Sequence, residues 1–461
     1  MSSEALSASD RSSLAAEQGA VNMAVGGVLI FDRGPGISRN QVIARVSERI
    51  HLLPRLRQRI ESPAMGLANP VWIDDRDFDL EWHIRSTTLS APGGDEELSA
   101  LVGRESSRLL DRSRPLWEMT VIEGLAAGRT AVLLRLHHAL VDGVGALALG
   151  MLLVDPTAEP MQVPPPDATW APRPFALSRH LARLATTPVW QAQKLMLDGV
   201  ARALDPDPRR AAGELRRATE LAVELARNRP QAPMTPLNRP IGSNRRWALV
   251  RTDLARVKQA ARASGGTVND VLLAAVAGML RSYLSAAEPG AWDGRPPVAL
   301  VPVNVRRERD GELGNRISTV LVDLPADATD PAERLRAVSS RMNALKESPA
   351  VRAGSLLVGA SGAAPPLLSA LLARAMSGVL AFNLVVSNVP GPQQPLYMNG
   401  SRVRAVYPIV PLNPANQGLN VGVFSYDGGV YFGLLADRDL DPGLQVAADA
   451  LRGALAELLG S

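Results

Sequence analysis

The stretch LLRLHHALVDGVGALALGMLL, from Leu133 to Leu153, contains two adjacent histidines, His137 and His138. The chain has only five histidines, so this pair is a strong local signal. The apolar run 130–136 predicts a buried strand, and the apolar run 144–154 has the length of a helix. The histidines are therefore predicted to lie on a turn at a strand end, where a rigid scaffold can present a base to a cavity.

Such a pair suits proton removal from a weakly acidic nucleophile. Imidazole titrates near neutrality, so it can take a proton from an alcohol or amine that attacks a carbonyl and return it to a leaving thiolate. Neighbouring residues on extended backbone point to opposite sides, so the two rings are expected to have different tasks. The alternative is that both rings only satisfy buried polar groups. The other histidines are distant in sequence and the chain has no cysteine, so no metal site is expected.

The motif that begins at His137 resembles the HHxxxDG signature of the acyl-CoA-dependent acyltransferase superfamily, and its flanks resemble the wax ester synthase/diacylglycerol acyltransferase family. This superfamily includes chloramphenicol acetyltransferase and peptide-synthetase condensation domains. The resemblance implies that His138 is the general base and that His137 supports it. It also implies that Asp142 forms an ion pair with an arginine, while Gly143 leaves room beside the base. Acyl-CoA would be a co-substrate, with no other cofactor.

Composition narrows the possible classes. A chain of 461 residues predicts two or three domains. The net charge is only +4, which does not favour a nucleic-acid partner, and the absence of cysteine fits a reducing cytoplasm. The first 18 residues are polar where a signal peptide would be apolar, so secretion is not expected.

Several local patterns in the N-terminal half also match the family. LPRLRQRI at 53–60 and PVWIDDRDFDLEWHIR at 70–85 resemble its N-terminal blocks, and Arg55 or Arg57 is the expected partner of Asp142. One departure is that Ala20–Ala24 stands where relatives carry Pro-Met-His. Pro115-Leu116-Trp117 resembles the block upstream of the histidines and is expected to pack their strand.

Three segments concern domain organisation and membranes. Seven prolines between residues 156 and 174 predict a linker, and 178–227 reads as arginine-rich helices. Such helices can lie on an anionic membrane or simply present a solvated face. The charge-free stretch between Arg352 and Arg374 is long enough to cross a bilayer, but Pro365-Pro366 in its middle argues against a spanning helix.

Two polar pairs in the C-terminal half resemble family hallmarks. Asn269-Asp270 opens an apolar helix, where capping by Asp270 is the simple interpretation and a place near the active site is what the resemblance implies. Ser387-Asn388 ends a strand before a Pro-Gly-Pro turn. These side chains could donate hydrogen bonds to a developing oxyanion or merely cap the turn.

Local signals also mark individual elements. Residues 25–31 predict a strand, and Ser38 with Gln41 predicts a capping box that opens a helix. Asp427-Gly428 predicts the turn of a hairpin.

These observations predict an α/β (α+β) fold of two chloramphenicol-acetyltransferase-like lobes, each a mixed sheet with flanking helices, with a tunnel between them. The expected domains are an N-terminal lobe at 1–155, a proline-rich and helical linker at 156–245 and a C-terminal lobe at 246–461. The expected function is transfer of a long-chain acyl group from acyl-CoA to diacylglycerol or a fatty alcohol. A cytoplasmic enzyme that associates peripherally with a membrane or lipid droplet would suit such substrates.

Two other hypotheses remain. One is an acyltransferase with a carrier-bound acyl donor or an amine acceptor. The other is a non-catalytic lipid-binding protein of the same fold.

Overall fold

A computed structural model describes most of the chain. It covers residues 4–34, 37–62, 70–140, 150, 152–166, 170–175, 232–287, 292–304, 317–347, 382–412 and 416–460. The predicted helices at 178–227 and the stretch between Arg352 and Arg374 lie outside these ranges, as do residues 144–149 and 151 of the apolar run 144–154.

The described elements are fifteen strands and eight α-helices, besides short 3-10 turns. The strands are β1 (Glu4–Ala5), β2 (Ala24–Phe31), β3 (Gln58–Glu61), β4 (Val71–Asp74), β5 (Ile84–Thr88), β6 (Trp117–Leu125), β7 (Arg129–His137), β8 (Arg245–Asp253), β9 (Val298–Asn304), β10 (Ile317–Asp323), β11 (Leu384–Pro390), β12 (Tyr397–Met398), β13 (Ser401–Ile409), β14 (Leu419–Tyr426) and β15 (Gly429–Asp437). The helices are α1 (Ala8–Ala16), α2 (Arg39–Arg49), α3 (Leu80–His83), α4 (Asp95–Ser106), α5 (Leu254–Ser264), α6 (Val268–Ser285), α7 (Pro331–Glu347) and α8 (Leu444–Leu459).

The strand that ends in the histidine pair lies inside a six-stranded sheet of order β12-β13-β2-β7-β6-β5. Strand β7 is antiparallel to both β2 and β6, whereas β5 runs parallel to β6. Because β7 has neighbours on both sides, its residues from Ala131 to His137 are buried, as expected of a nearly continuous apolar run. The sheet therefore holds the backbone at His137 in a fixed position.

A second six-stranded sheet has the order β10-β9-β11-β14-β15-β8, with β11 parallel to both of its neighbours. Helices α6 and α8 pack together on one side, and residues 271–280 of α6 are apolar and buried all round, as expected of a helix segment enclosed in the core. Two mixed sheets with flanking helices confirm the predicted fold class. The predicted tunnel remains a prediction.

The local signals in the sequence correspond to observed elements. Ser38 and Gln41 form the predicted capping box at the start of α2. Asp427 and Gly428 both have positive φ angles and connect β14 to β15, as the hairpin prediction requires.

The sheets do not follow the predicted division of the chain at residue 246. Strand β13, which belongs to the predicted C-terminal lobe, pairs with β2 at the edge of the N-terminal sheet. Ile409 pairs with Gly26 and Val403 with Phe31, so the strand is integrated along its whole length. The C-terminal half thus contributes a strand to the N-terminal sheet. The sequence alone could not indicate this, because strand pairing depends on partners that are distant in the chain.

The described residues of the proline-rich segment, which is predicted to be a linker, pack on the N-terminal lobe. Arg49 donates to the carbonyl oxygen of Met161 at 2.9 Å. The guanidinium of Arg57 lies 4.6 Å from the ring centre of Trp170, and the backbone N–H of Arg173 donates to Asp74 at 3.1 Å. Proline ends regular structure, but it does not prevent these contacts.

Among the described helices, none is by itself long and apolar enough to cross a bilayer. The pair α5 and α6 meets the length and composition criteria jointly, but the two helices are bent by 98° relative to each other.

A buried cluster of charges ties the end of the N-terminal lobe to α2. Asp155, which is 1% exposed, pairs with Arg45 and accepts from Arg49 at 2.6 Å. Both arginine side chains are also almost completely buried. A single carboxylate therefore faces two buried guanidinium groups.

We expect Asp155→Ala to lower the free energy of unfolding by about 3–5 kcal/mol, because it leaves both guanidinium groups without their counter-charge. The matched control is Asp32→Ala, whose pair with Arg404 lies at the surface, and it should cost less than about 1 kcal/mol. Chemical denaturation measures both values. Equal losses for the two variants would contradict this assignment.

A buried histidine outside the motif lies in an aromatic stack. His83 is stacked between Phe78 and Trp117, with ring centroids 5.4 and 4.4 Å away, and is completely buried. Its Nδ1 lies 2.7 Å from the carbonyl oxygen of Trp117, which can only accept, so Nδ1 carries the proton. Burial lowers the pKa of His83 to about 4.

This shift predicts a loss of stability in mild acid. The unfolded chain takes up the proton near pH 6.5, whereas the folded chain does so near 4, so stability falls as pH falls through that window. Once the pH is below both pKa values, the loss of folding stability that comes from His83 is about 3 kcal/mol. In His83→Phe, which keeps the stack, unfolding measured between pH 7 and 4.5 should depend less on pH than in the wild type. An unchanged dependence would show that His83 is not its source.

Candidate active site

The two motif histidines have different surroundings, although they are adjacent. His137 is the last residue of β7 and is completely buried. His138 is exposed, and its backbone N–H donates to the carbonyl oxygen of Met23 at 2.9 Å. A tight turn follows, in which the N–H of Leu140 donates to the carbonyl of His137 at 2.8 Å. The expectation that the rings have different tasks is consistent with this geometry.

The hydrogen bonds of His137 define its protonation. The backbone N–H of Ala139 donates to Nδ1 at 3.0 Å, so Nδ1 must present a lone pair. In the neutral ring the proton therefore sits on Nε2, which faces Oε2 of Glu17 at 3.4 Å, a long contact for a hydrogen bond. Both nitrogens of His137 are thus directed at protein groups, which leaves neither of them for a substrate.

Glu17 is the centre of a buried network beside His137. It is 7% exposed, accepts from the backbone N–H of Met23 at 2.9 Å and contacts Arg112 at 3.1 Å. Burial by itself raises the pKa of Glu17, but His137, the Met23 N–H and Arg112 together lower it below its ordinary value. The carboxylate is therefore ionised at neutral pH.

His138 has one nitrogen engaged and one available. Its Nδ1 lies 3.4 Å from Oγ of Ser13. The hydroxyl oxygen can accept from a protonated Nδ1, and in that tautomer Nε2 carries the lone pair. Within the described residues, Nε2 has no hydrogen-bond partner, and its lone pair is free to accept a proton.

The environment of His138 also keeps the ring neutral. The ring is open to solvent on one side, but the protein around it desolvates the charged form, which lowers the pKa of His138 below 6.5. A neutral imidazole with a free Nε2 is the form that a general base requires at neutral pH.

The N-terminal segment supplies residues that the sequence interpretation missed. Helix α1 carries Ser13, and Glu17 follows it directly. The polar composition of residues 1–18 indicates only that they are no signal peptide, but Ser7 and Asp10 form a capping box, a local signal that predicts this helix. Arg112, which no pattern in the sequence marks as part of the site, is a further missed residue.

The segment Ala20–Ala24, which departs from the family pattern, lies beside Glu17 and His138. Asn22 is buried and donates to the carbonyl oxygens of Ser106 and Arg108 at 3.0 and 2.8 Å. Its Oδ1 accepts from the N–H of Ala24 at 2.9 Å. Asn22 therefore fixes the segment whose next residue, Met23, bonds both Glu17 and His138.

The second set of predicted site residues is joined by one hydrogen bond. Nδ2 of Asn388 donates to Oδ1 of Asn269 at 3.2 Å, which brings the start of α6 to the end of β11. Ser387 and Asn388 are both half-buried on that strand. In the described part of the chain, no hydrogen bond links these residues to the histidine pair, and their role towards an oxyanion stays a prediction.

Asp270 has the capping role that the simple interpretation gave it. Its Oδ2 accepts from the backbone N–H of Thr267 at 2.8 Å and from Oγ of Ser339 at 3.2 Å, and it is 1% exposed. It supports the helix on which Asn269 stands.

Two predicted residues, Asp142 and Gly143, lie outside the described ranges, so the ion pair of Asp142 stays a prediction. Its expected partners have other contacts. Arg55 pairs with Glu4 at 2.7 Å, and Arg57 stacks on Trp170.

Solved structures similar to this chain share its two-sheet architecture. The wax ester synthase/diacylglycerol acyltransferase from Marinobacter aquaeolei VT8 superposes with a TM-score of 0.70 at 29% identity, covering 99% of this chain and 100% of that one. The starter condensation domain of rhizomide synthetase gives 0.58 at 15% identity, covering 100% of this chain and 95% of that one, which is a likeness of fold alone.

Sequence relatives match over nearly the full length. A Mycobacterium tuberculosis H37Rv protein, provisionally named a diacylglycerol O-acyltransferase, is 36% identical over 458 residues, covering 96% of this chain and 97% of that one. The model of the wax ester synthase/diacylglycerol acyltransferase catalytic domain matches residues 6–272, and that of the family's C-terminal domain matches residues 313–459. With the histidine pair at the strand end and both family domains in order, the chain belongs to the wax ester synthase/diacylglycerol acyltransferase family.

Proposed function

We propose that this protein transfers a long-chain acyl group from acyl-CoA to the hydroxyl of a lipophilic alcohol, with diacylglycerol as the main acceptor and fatty alcohols as the alternative. The observation that carries the proposal is the Nε2 of His138, which has no hydrogen-bond partner among the described residues and stands on a neutral, solvent-accessible ring. The names of the relatives support the choice of acceptors.

The reaction needs one base and a good leaving group. Nε2 of His138 takes the hydroxyl proton while the oxygen attacks the thioester carbonyl, which forms a tetrahedral oxyanion. The oxyanion collapses, the carbon–sulfur bond breaks, and CoA leaves as the thiolate. The imidazolium of His138 returns the proton to the sulfur, so the base is regenerated, and the thioester itself supplies the driving force. We propose no cofactor besides the co-substrate acyl-CoA.

Glu17 and His137 position this base through the backbone. Met23 donates its N–H to Glu17 and accepts the N–H of His138 on its carbonyl oxygen, so one residue links the carboxylate to the base. On the other side, His137 accepts the N–H of Ala139, which fixes the residue that follows His138. Precise placement of a base matters because a displacement of about 1 Å can cost about 100-fold in rate.

Both proposed acceptors are lipids, so the enzyme is expected to meet them at a lipid surface. A peripheral membrane or lipid-droplet association and a cytoplasmic location belong to this proposal, as does the predicted tunnel past His138.

His138→Ala should reduce the release of free CoA from palmitoyl-CoA and dioleoylglycerol by about 100- to 10,000-fold, because it removes the general base. In the wild type, the acid limb of the kcat/KM profile should have its midpoint below 6.5, since the pKa of His138 is lowered. Thiol release measures both effects. His51→Ala, at a histidine outside the motif, is the control and should remain active.

Unchanged turnover in a folded His138→Ala variant would remove this mechanism. A wild-type protein that releases no CoA with dioleoylglycerol or hexadecanol would contradict the proposed acceptors, and would direct attention to amines or carrier-bound donors.

Glu17→Gln keeps the size of the side chain but removes its charge, so the contacts with His137 and Met23 weaken. We expect kcat to fall about tenfold, the equivalent of about 1.4 kcal/mol, with little change in KM. The matched control is Glu4→Gln in the same N-terminal segment, because Glu4 is exposed and pairs with Arg55 at the surface. Steady-state kinetics would refute the role of Glu17 if both variants had wild-type kcat.

A further inference from the structure

Helix α1 and the residue that follows it contact both motif histidines, each through a different side chain. Oε2 of Glu17 lies 3.4 Å from Nε2 of His137, and Oγ of Ser13 lies 3.4 Å from Nδ1 of His138. Ser13 and Glu17 are both buried, and residues four apart share one face of a helix. One helix face therefore offers a carboxylate to the first ring and a hydroxyl to the second.

The hydroxyl is held in a fixed place because α1 is anchored at both ends. At its start, Ser7 and Asp10 form the capping box. At its end, Nη2 of Arg112 donates to the carbonyl oxygens of Leu14 and Glu17 at 3.1 and 3.2 Å. The turn that carries the hydroxyl lies between these anchors, so its position does not depend on the base.

The contact with Ser13 bears on where the proton of His138 sits. A neutral imidazole has one N–H and one lone pair, so a group that accepts from Nδ1 leaves the lone pair on Nε2. The backbone of His138 is fixed by its bond to the carbonyl oxygen of Met23, so only rotations of the side chain remain. A hydrogen bond at Nδ1 restricts those rotations and selects the tautomer at the same time.

The group that contacts the base is also uncharged. Among the described residues, no carboxylate lies within ion-pair distance of His138, and the acid within α1, Asp10, accepts from the backbone N–H of Ser7 at 3.1 Å. A carboxylate in contact with the ring would stabilise the imidazolium and hold its proton. A hydroxyl stabilises the imidazolium less, so the proton passes on more readily to a leaving sulfur.

We propose that Ser13 is a positioning residue for the base: it accepts a hydrogen bond from Nδ1–H of His138 and so keeps the lone pair on Nε2 for the acceptor hydroxyl. This role rests on the proposed acyl transfer. During the reaction, Nε2 takes the hydroxyl proton and gives it to the sulfur of CoA, while the proton on Nδ1 stays in place.

The first test reads the tautomer without any acyl transfer. In protein labelled with ¹⁵N at histidine, long-range ¹H–¹⁵N spectra distinguish a protonated ring nitrogen from an unprotonated one, and the signals that are missing from His138→Ala belong to His138. At about pH 8, where the ring is neutral, wild type should show a protonated Nδ1 and an unprotonated Nε2. Ser13→Ala removes the acceptor but favours the helix, and should convert part of the signal to the Nε2–H form.

The second test is kinetic. Ser13→Ala should lower kcat about three- to tenfold with KM unchanged, which is the effect of one neutral hydrogen bond. Thiol release measures both constants. The matched control is Ser12→Ala, at an exposed position of the same helix, and it should behave like wild type in both tests.

Three results would overturn the proposal. They are a wild-type His138 with its proton on Nε2, a Ser13→Ala variant that keeps the wild-type tautomer, and a changed tautomer with an unchanged kcat. A wild type that transfers no acyl group would contradict the proposed function instead, and the spectra would still decide whether Ser13 sets the tautomer.

Discussion

The buried carboxylate of Glu17 is the constraint on which the geometry of the site depends. Taking a charge out of water is costly unless hydrogen bonds and counter-charges replace the water. Here Arg112, the Met23 N–H and the Nε2 side of His137 supply them. Each of these partners belongs to a different segment, so satisfying one carboxylate brings together the end of α1, the residues before β2, the loop between α4 and β6, and the end of β7. A purely apolar contact at this point would not define the orientation of His137.

A second constraint comes from β13, a strand of the C-terminal half that lies in the N-terminal sheet. This strand pairs with β2 and also contacts the C-terminal hairpin, where the Tyr407 and Tyr431 rings lie 5.2 Å apart and Tyr431 donates to the carbonyl of Arg404 at 2.9 Å. One apolar cluster therefore contains residues of both sheets, from Val28 to Leu435. The two lobes are not independent units, because separating them would break the pairing between β13 and β2.

The sequence predicted those features whose cause is local. The histidine pair at a strand end, the Ser38 capping box and the Asp427-Gly428 hairpin depend on residues close to each other in the chain, and each is confirmed. Glu17 was missed because its partners lie up to 120 positions away, and a polar N-terminal segment gives no hint of a buried acid. The integration of β13 was missed for the same reason. The family resemblance indicated Asn269 and Asn388 separately. Only the structure shows that their side chains are hydrogen-bonded to each other.

Arginine side chains hold the irregular segments that are not paired in a sheet. Almost all basic residues of this chain are arginines, and the planar guanidinium offers five donors that can bind several carbonyl oxygens at once. Arg245 bonds the carbonyls of Ala20 and Gly242 at 2.5 Å, and Arg49 bonds that of Met161. A lysine has a single ammonium with no fixed fork, so it could not span the two segments that Arg245 joins. Since Ala20 leads directly into the residues that hold His138, the buried arginine at the start of β8 connects the C-terminal sheet to the base. Burial lowers the pKa of Arg245 while Asp437 opposes that shift, and arginine's high intrinsic pKa keeps it charged in this role.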